Sequence, residues 1–349
     1  MSEPAAAVRL ADHTTLRLGG PARRWVRATT ERELVDTVRA ADEAGEPLLV
    51  LGGGSNLVVA DDGFPGTVVE VATRGVTADA DSPDDLACLG AVTVAAAAGE
   101  DWDGLVALAV EKGWVGLEAL SGIPGRVGAT PIQNVGAYGQ EVSQTIARVR
   151  TWDRRERTQR TFAAQDCGFG YRTSRFKAEP GRYVVLEVTF LLRQATLGAP
   201  VAYAELARAL GTEPGGRAPM TDVRDAVLRL RAGKGMVLDT DDHDTWSAGS
   251  FFTNPFVEPD AVPEGAPAYP QPDGRVKTSA AWLIEHAGFG KGYGTGRVGL
   301  STKHTLALTN RGDATTEELL ALAREVRDGV RAAYGIELVN EPVLVGCAL

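Results

Sequence analysis

Two glycine-rich stretches carry the residue types best suited to holding a phosphorylated ligand. Leu51-Gly52-Gly53-Gly54-Ser55-Asn56-Leu57 sits between two apolar runs, Leu48–Leu51 and Leu57–Val59. Consecutive glycines between two strands can present successive backbone N–H groups to a diphosphate as an anion nest; a tight β-turn is the alternative. The dinucleotide fingerprint is excluded, because Leu57 stands where its third glycine belongs and a strand follows in place of a helix. The second stretch runs from Gly122-Ile123-Pro124-Gly125-Arg126-Val127-Gly128 to Gln133-Asn134-Val135-Gly136-Ala137-Tyr138-Gly139. Its small residues permit close backbone approach to a ligand. Gln133 and Asn134 add amide donors and acceptors, and Tyr138 adds a stacking face or a hydroxyl. A purely structural loop is the competing interpretation.

Other patterns fall away on their context. Gly294-x-Gly296-x-x-Gly299 matches the dinucleotide spacing but is followed by the strand-like Thr305–Thr309. Neither Lys234 nor Lys291 stands in a phosphate-binding P-loop, and Ser250 is no nucleophile elbow, since Ala248 and Phe252 replace its glycines. Taken singly, Arg172 reads as a surface ion-pair partner, Ser250 as a strand serine and Glu341 as a solvated strand-end charge. The histidines His13, His243, His286 and His304 lack metal-ligand spacing. Cys88, Cys167 and Cys347 are odd in number and far apart, which argues against a disulfide framework or zinc site and fits a reducing compartment.

The elements that must position these residues are legible in outline. Thr30-x-x-Glu33 and Thr315-x-x-Glu318 are capping boxes that open helices closed near Gly45 and Gly335. Asp103–Lys112 is a further helix, stopped by Gly113, and Thr221 is placed as the cap of a helix running to Leu230. Strands are expected at Leu48–Leu51, Leu57–Val59, Thr67–Val71, Ala91–Ala98, Arg182–Leu192, Ser250–Asn254 and Ile336–Val345, with a hairpin formed by Ile146–Trp152 and Arg157–Phe162. With 349 residues the chain is long enough for two domains. Its 41 glycines, about 12%, exceed the ordinary level of about 7%, and they cluster without a period, which excludes a repeat array. Thirty-six basic against 46 acidic residues leave a net charge of −10, which disfavours non-specific nucleic-acid binding. No apolar run approaches membrane length, and Glu3 and Asp12 stand where a signal peptide would be apolar, so a cytoplasmic protein is expected.

Five spaced motifs taken together resemble one family. Leu51–Asn56, Gly122–Gly139, Phe169-Gly-Tyr-Arg-Thr-Ser-Arg-Phe176, Gly249-Ser-Phe-Phe-Thr-Asn-Pro255 and Leu338-Val-Asn-Glu341 are similar, in order and over residues 13–346, to the UDP-N-acetylenolpyruvoylglucosamine reductases (MurB). The resemblance implies an α+β chain with a PCMH-type FAD-binding region over 13–194 and a smaller α+β substrate domain over 195–349. It implies bound FAD, NADPH as hydride donor, and reduction of the enolpyruvyl ether of a UDP-sugar at C3 with protonation at C2, in peptidoglycan synthesis. It assigns catalysis to Arg172, Ser250 and Glu341. Cofactor contacts are assigned to Gly52, Gly53, Gly54, Ser55, Asn56, Leu57, Gly122, Ile123, Gly125, Val127, Gly128, Gln133, Asn134, Gly136, Ala137, Tyr138 and Gly139. Tyr171, Tyr203, Lys234, Asn254 and His304 fall to the substrate, and no metal is implied. The Pro200-Val-Ala-Tyr203 segment resembles the subgroup whose tyrosine-bearing loop closes over the nucleotide; a core position in a Tyr203–Leu210 helix is the other interpretation. Two positions depart from the pattern: Arg126 replaces a small hydroxyl residue, and Thr253 replaces a lysine, which shifts electrostatic work to Lys234. Another flavin oxidoreductase of the same fold, or a catalytically silent flavin- or nucleotide-binding module, stays open from sequence.

Overall fold

The computed structural model describes residues 8–79 and 90–349; Cys88 lies outside them. The chain divides into two compact units, each assembled from separated stretches. Of the described residues, the first holds 24–53, 66–79 and 90–232, and the second holds 8–23, 54–65 and 233–349. Residue 195, the domain boundary that the resemblance implies, is therefore inside the first unit.

In the first unit, the Thr30 hydroxyl accepts from the Glu33 N–H while the Glu33 carboxylate accepts from the Thr30 N–H. This reciprocal cap starts the helix Glu31–Glu43, which buries Leu34, Val38 and Ala41 at helical spacing. The apolar run Leu48–Leu51 pairs in parallel with Phe64–Val71, and Ala22–Ala28 lies on the other side of that strand. The larger sheet has the order Thr158–Ala163, Ile146–Asp153, Tyr183–Gln194, Ala91–Ala97, Val76–Asp79, antiparallel throughout. Helix Trp102–Lys112 is capped by the Asp101 carboxylate and closed by Gly113 at φ +75°, a left-handed conformation that glycine adopts without strain. Its Trp102, Leu105, Val106 and Ala109 join the main core with sheet residues such as Phe190. A satellite core joins Ala119 to Val201, Leu206, Val223 and Val227, carried by the helices Ala204–Ala209 and Met220–Gly233. That second helix begins earlier than the Thr221 cap predicts. The Val223 N–H donates to the Pro219 carbonyl at 3.0 Å, so Thr221 already lies in the first turn.

In the second unit, Thr315 and Glu318 form the second capping box, opening the helix Thr316–Tyr334 that Gly335 ends at φ +68°. Leu319, Leu320, Ala323, Val326 and Val330 from this helix pack with Leu283 and Ile284 of the helix Ala280–His286 and with Leu300 and Leu308. Leu57–Val59 pairs in parallel with Val343–Val345. Two expected strands are corrected here. Ser250–Asn254 forms a single bridge, Phe252 to Asn340, and the last strand covers only Val343–Val345. Pro255 and Pro342 bound these segments, and proline has no N–H to extend a ladder. Among the described residues no helix is long and apolar enough to cross a membrane.

Candidate functional site

The two glycine stretches of the first unit meet where only glycine fits. A Cβ placed on Gly53 would lie 2.7 Å from the Gly125 Cα, and one on Gly128 would lie 2.5 Å from the Ala98 Cβ. The Gly125–Gly128 backbone is pinned in place: the Trp102 N–H donates to Gly125 at 3.1 Å, the Val127 N–H donates to Glu100 at 3.0 Å, and the Gly128 N–H donates to Ala98 at 2.8 Å. Val127 is wholly buried, so a ligand contact there falls to its backbone, and Ile123 and Ala137 pack partly against the same core. At the head of the loop, Gly122 (φ +71°) donates its N–H to the Asp103 carboxylate at 2.6 Å. Arg224 grips that carboxylate with both ends of its fork, at 2.7 and 2.8 Å. Burial works to raise the Asp103 carboxyl, but the hydrogen bonds from Arg224 and Gly122, with the charge of Arg224, outweigh it and hold the group below its ordinary range.

Arg172 is held against the far end of the same loop. Gly170 and Thr173 exchange backbone hydrogen bonds at 3.1 and 3.2 Å, closing a turn that puts Arg172 at φ +53°. Its guanidinium donates to the Gly136 carbonyl at 2.8 Å and to the Asn134 carbonyl at 3.4 Å. The Tyr171 ring centroid lies 5.4 Å from the Arg172 Cζ. Asn134 (φ +47°) is buried and links three segments: its amide donates to Glu141 at 2.8 Å and to the Gly170 carbonyl at 3.0 Å, and its oxygen accepts from the Ser143 N–H at 3.1 Å. Lys177 joins Gln133 to the turn, donating to the Gln133 side chain at 2.8 Å and to the Arg172 carbonyl at 3.0 Å. Asn134, Tyr138 (φ +49°) and Arg172 are three non-glycine residues in the left-handed region within one small constellation. Such backbone costs about 1–3 kcal/mol apiece and persists where surrounding bonds over-determine it, often at functional sites.

Tyr138 and Tyr203 stand edge to face, with ring centroids 6.2 Å apart. Tyr203 is 55% exposed and precedes the helix Ala204–Ala209, so a core role is set aside. Gly139 lets the Ala202–Tyr203 segment approach, since a Cβ there would lie 2.7 Å from the Ala202 Cβ. Burial raises the Tyr138 hydroxyl above its ordinary range, against the charge of Arg231, whose own guanidinium burial pulls down to about 10.

The remaining predicted residues belong to the second unit. Gly54 (φ +60°) passes so close to the His13 carbonyl that a Cβ would overlap it. Ser55 follows, and the Asn56 carbonyl accepts from the Val343 N–H at 3.0 Å while its amide reaches the Glu341 carbonyl at 3.5 Å. Leu57 begins the parallel pairing with Val343. Ser250 and Glu341 are brought together along the backbone: the Glu341 N–H donates to the Phe251 carbonyl at 2.8 Å, and the Thr253 N–H donates to Val339 at 3.0 Å. Phe251 and Phe252, each 1% exposed, anchor this segment in the core, leaving Ser250 and Glu341 half-buried. The Asn254 side-chain oxygen accepts from the Ala280 N–H at 3.0 Å, at the start of the helix Ala280–His286. His304 is half-buried, its N–H donating to the Ser301 hydroxyl at 3.3 Å, and Lys234 is half-buried just before Gly235. Among the described residues no group of three or more His, Cys, Asp or Glu is arranged to hold a metal ion.

Sequence reasoning missed Lys177, Asp103 and Glu141. Lys177 follows directly on the Phe169–Phe176 motif, and Ser174, whose hydroxyl accepts its N–H at 3.3 Å, marks it as the first turn of a short helix. Asp103 carried no signal beyond its place in the first turn of the helix Trp102–Lys112.

Comparison with known proteins adds independent findings. Residues 22–161 match the model of an FAD-binding domain, and residues 241–345 match the C-terminal domain of UDP-N-acetylenolpyruvoylglucosamine reductase. The proteins so named from Cutibacterium acnes and Streptomyces coelicolor are 63% and 59% identical to the chain, over 98% and 97% of its length and 90% of each relative. The crystal structure of UDP-N-acetylenolpyruvylglucosamine reductase (MurB) from Thermus caldophilus matches with a TM-score of 0.65 at 26% identity, covering 98% of this chain and 99% of that one.

Proposed function

The chain belongs to the UDP-N-acetylenolpyruvoylglucosamine reductase family, and from that membership we propose that Arg172, Ser250 and Glu341 act on a UDP-linked enolpyruvyl ether. It is an FAD-dependent oxidoreductase of α+β fold, with an FAD-binding domain and the family's C-terminal domain. Its reaction is the reduction of UDP-N-acetylglucosamine enolpyruvate to UDP-N-acetylmuramate, a precursor of peptidoglycan. FAD, when bound, supplies the hydride that the enolpyruvyl C3 receives, with NADPH as the source of reducing equivalents.

The residues present fit that cofactor. Gly53 and Gly125 approach to a separation no side chain permits, and the backbone N–H groups of the consecutive glycines are assigned to the diphosphate, as in anion-binding nests. Gly52, Gly122, Gly128 and the Gln133–Gly139 segment extend the same backbone-rich surface.

One observation carries the assignment of roles: Arg172 is held at φ +53° with its guanidinium donating to the Gly136 carbonyl at 2.8 Å. Hydride arrival at C3 places negative charge on the substrate carboxylate as an enolate. A guanidinium oriented beforehand stabilises that charge without reorganising in the transition state. Ser250 donates the proton that C2 receives. A serine hydroxyl is a weak acid, and the proximity of a basic carbon is what makes the transfer feasible. Glu341, bonded through its backbone to the residue after Ser250, is the third catalytic residue. Tyr171 and His304 line the substrate, and Tyr203, Lys234 and Asn254 hold its diphosphate. Exposed Tyr203 beside Tyr138 supports placing the chain in the subgroup with a tyrosine-bearing loop. We place its action on this small-molecule substrate in the cytoplasm.

The test is direct. Purified protein is expected to be yellow, with flavin absorption, and to oxidise NADPH only when the enolpyruvyl UDP-sugar is supplied. Colourless protein, or flavoprotein indifferent to that substrate, would overturn the proposal.

A further inference from the structure

Arg126 carries a guanidinium that the protein itself leaves partly unsatisfied. Its backbone is fixed by an antiparallel bridge to Asp101 and by the hydrogen bonds that flank it at Gly125 and Val127. From there the side chain runs along Gly52, where an added Cβ would lie 3.6 Å from both the Cβ and the Cγ of Arg126. The Nε is buried and has no hydrogen-bond partner among the described residues. The facing charge is Asp101, 3.8 Å from Nη1, and that carboxylate is 58% exposed against 22% for the arginine side chain. Asp101 is also occupied as a helix cap, accepting from the Gly104 N–H at 2.9 Å. A long pair with a water-facing carboxylate returns little free energy, whereas a buried N–H without an acceptor is costly. An acceptor supplied from outside the chain resolves this imbalance.

The acceptor must be anionic and must approach the Gly52–Gly53 backbone. Arginine remains charged at all accessible pH, and its planar fork matches phosphoryl oxygens. We propose that Arg126 binds the diphosphate of FAD, its guanidinium adding charge and, once the side chain turns its buried Nε–H outward to the ligand, a directed donor beside the backbone donors at Gly52 and Gly53. This inference rests on the FAD-binding function stated above and adds to it a side-chain ligand.

The full-length chain, as wild type, Arg126→Gln and Arg126→Lys, is titrated with FAD and with riboflavin, which has no phosphate, by flavin fluorescence. Thermal unfolding without flavin checks the fold of each variant. Arg126→Gln is expected to weaken FAD binding by on the order of ten- to a hundredfold and to leave riboflavin binding unchanged. Arg126→Lys, which keeps the charge and loses the directed donor, falls between. The KM for NADPH at saturating FAD stays at the wild-type value. Equal FAD affinity in wild type and Arg126→Gln overturns the inference, as does an equal loss for FAD and riboflavin. A raised KM for NADPH with FAD binding intact also overturns it, by moving the arginine to the diphosphate of the reductant. If Arg126→Gln does not fold, Arg126→Lys decides alone, and an unchanged FAD affinity there counts against the role. Failure of the wild type itself to take up FAD would instead overturn the cofactor assignment.

Discussion

The Glu341 N–H donates to the carbonyl of Phe251, the residue that follows Ser250, at 2.8 Å. One backbone hydrogen bond thus sets two proposed catalytic residues of the second unit, Ser250 and Glu341, in neighbouring segments, although they lie far apart in the chain. Buried Phe251 makes the arrangement rigid, because its own N–H donates to Leu306 at 2.7 Å and its ring sits in the core.

Replacing Ser250 by alanine removes a proton donor and little else. Stopped-flow absorbance is expected to show NADPH reducing the flavin at the wild-type rate. Reoxidation by the enolpyruvyl substrate slows by about 10²- to 10⁴-fold, the range of general acid catalysis. Unchanged rates in both half-reactions would rule out this role.

Arg172→Lys keeps a positive charge but cannot hold the Asn134 and Gly136 carbonyls while presenting a planar fork to a carboxylate. The oxidative half-reaction is expected to fall by about 10²- to 10³-fold, as when an oxyanion donor is lost, with flavin reduction preserved. A lysine variant with wild-type turnover would show that only charge, and no geometry, is needed.

Neighbouring glycines should respond differently to alanine. A Cβ on Gly53 meets the Gly125 backbone at 2.7 Å, whereas one on Gly52 meets Arg126 at an ordinary 3.6 Å. Gly53→Ala is expected to lower stability by about 1–3 kcal/mol through overpacking and to lose flavin on purification. Gly52→Ala is expected to unfold within a few degrees of wild type. Calorimetry on both variants checks the contrast, and equal melting temperatures would contradict the close approach of the two loops.

The Asp103–Arg224 pair makes part of the stability acid-sensitive. The Asp103 carboxyl is lowered in the folded state despite its burial, so its contribution is present above the unfolded value, about 3.9. It is lost as pH falls through the lowered folded value. Asp103→Asn is expected to cost about 1–2 kcal/mol near neutrality, with the gap to wild type narrowing below about pH 4. Melting temperatures measured between neutral and acid pH would refute this if the gap stayed constant.

The amino-acid sequence by itself determined the local features. Both capping boxes, at Thr30 and Thr315, and the glycine stops at Gly113 and Gly335 appear where three- or four-residue spacing places them, because their hydrogen bonds close within one turn. The glycine stretches and the spaced motifs were legible for a related reason: they record backbone that must approach something closely. Tertiary structure alone decided which distant residues meet. Lys177 reaches Gln133 across 44 positions and Arg224 reaches Asp103 across 121, and no local pattern encodes either bond. It also decided that Ser250–Asn254 forms one bridge in place of a strand, since pairing depends on a partner's available N–H groups. The orphaned Nε of Arg126 belongs to this second kind. A side chain's hydrogen-bonding deficit depends on every segment folded around it, so it exists only once the chain has closed.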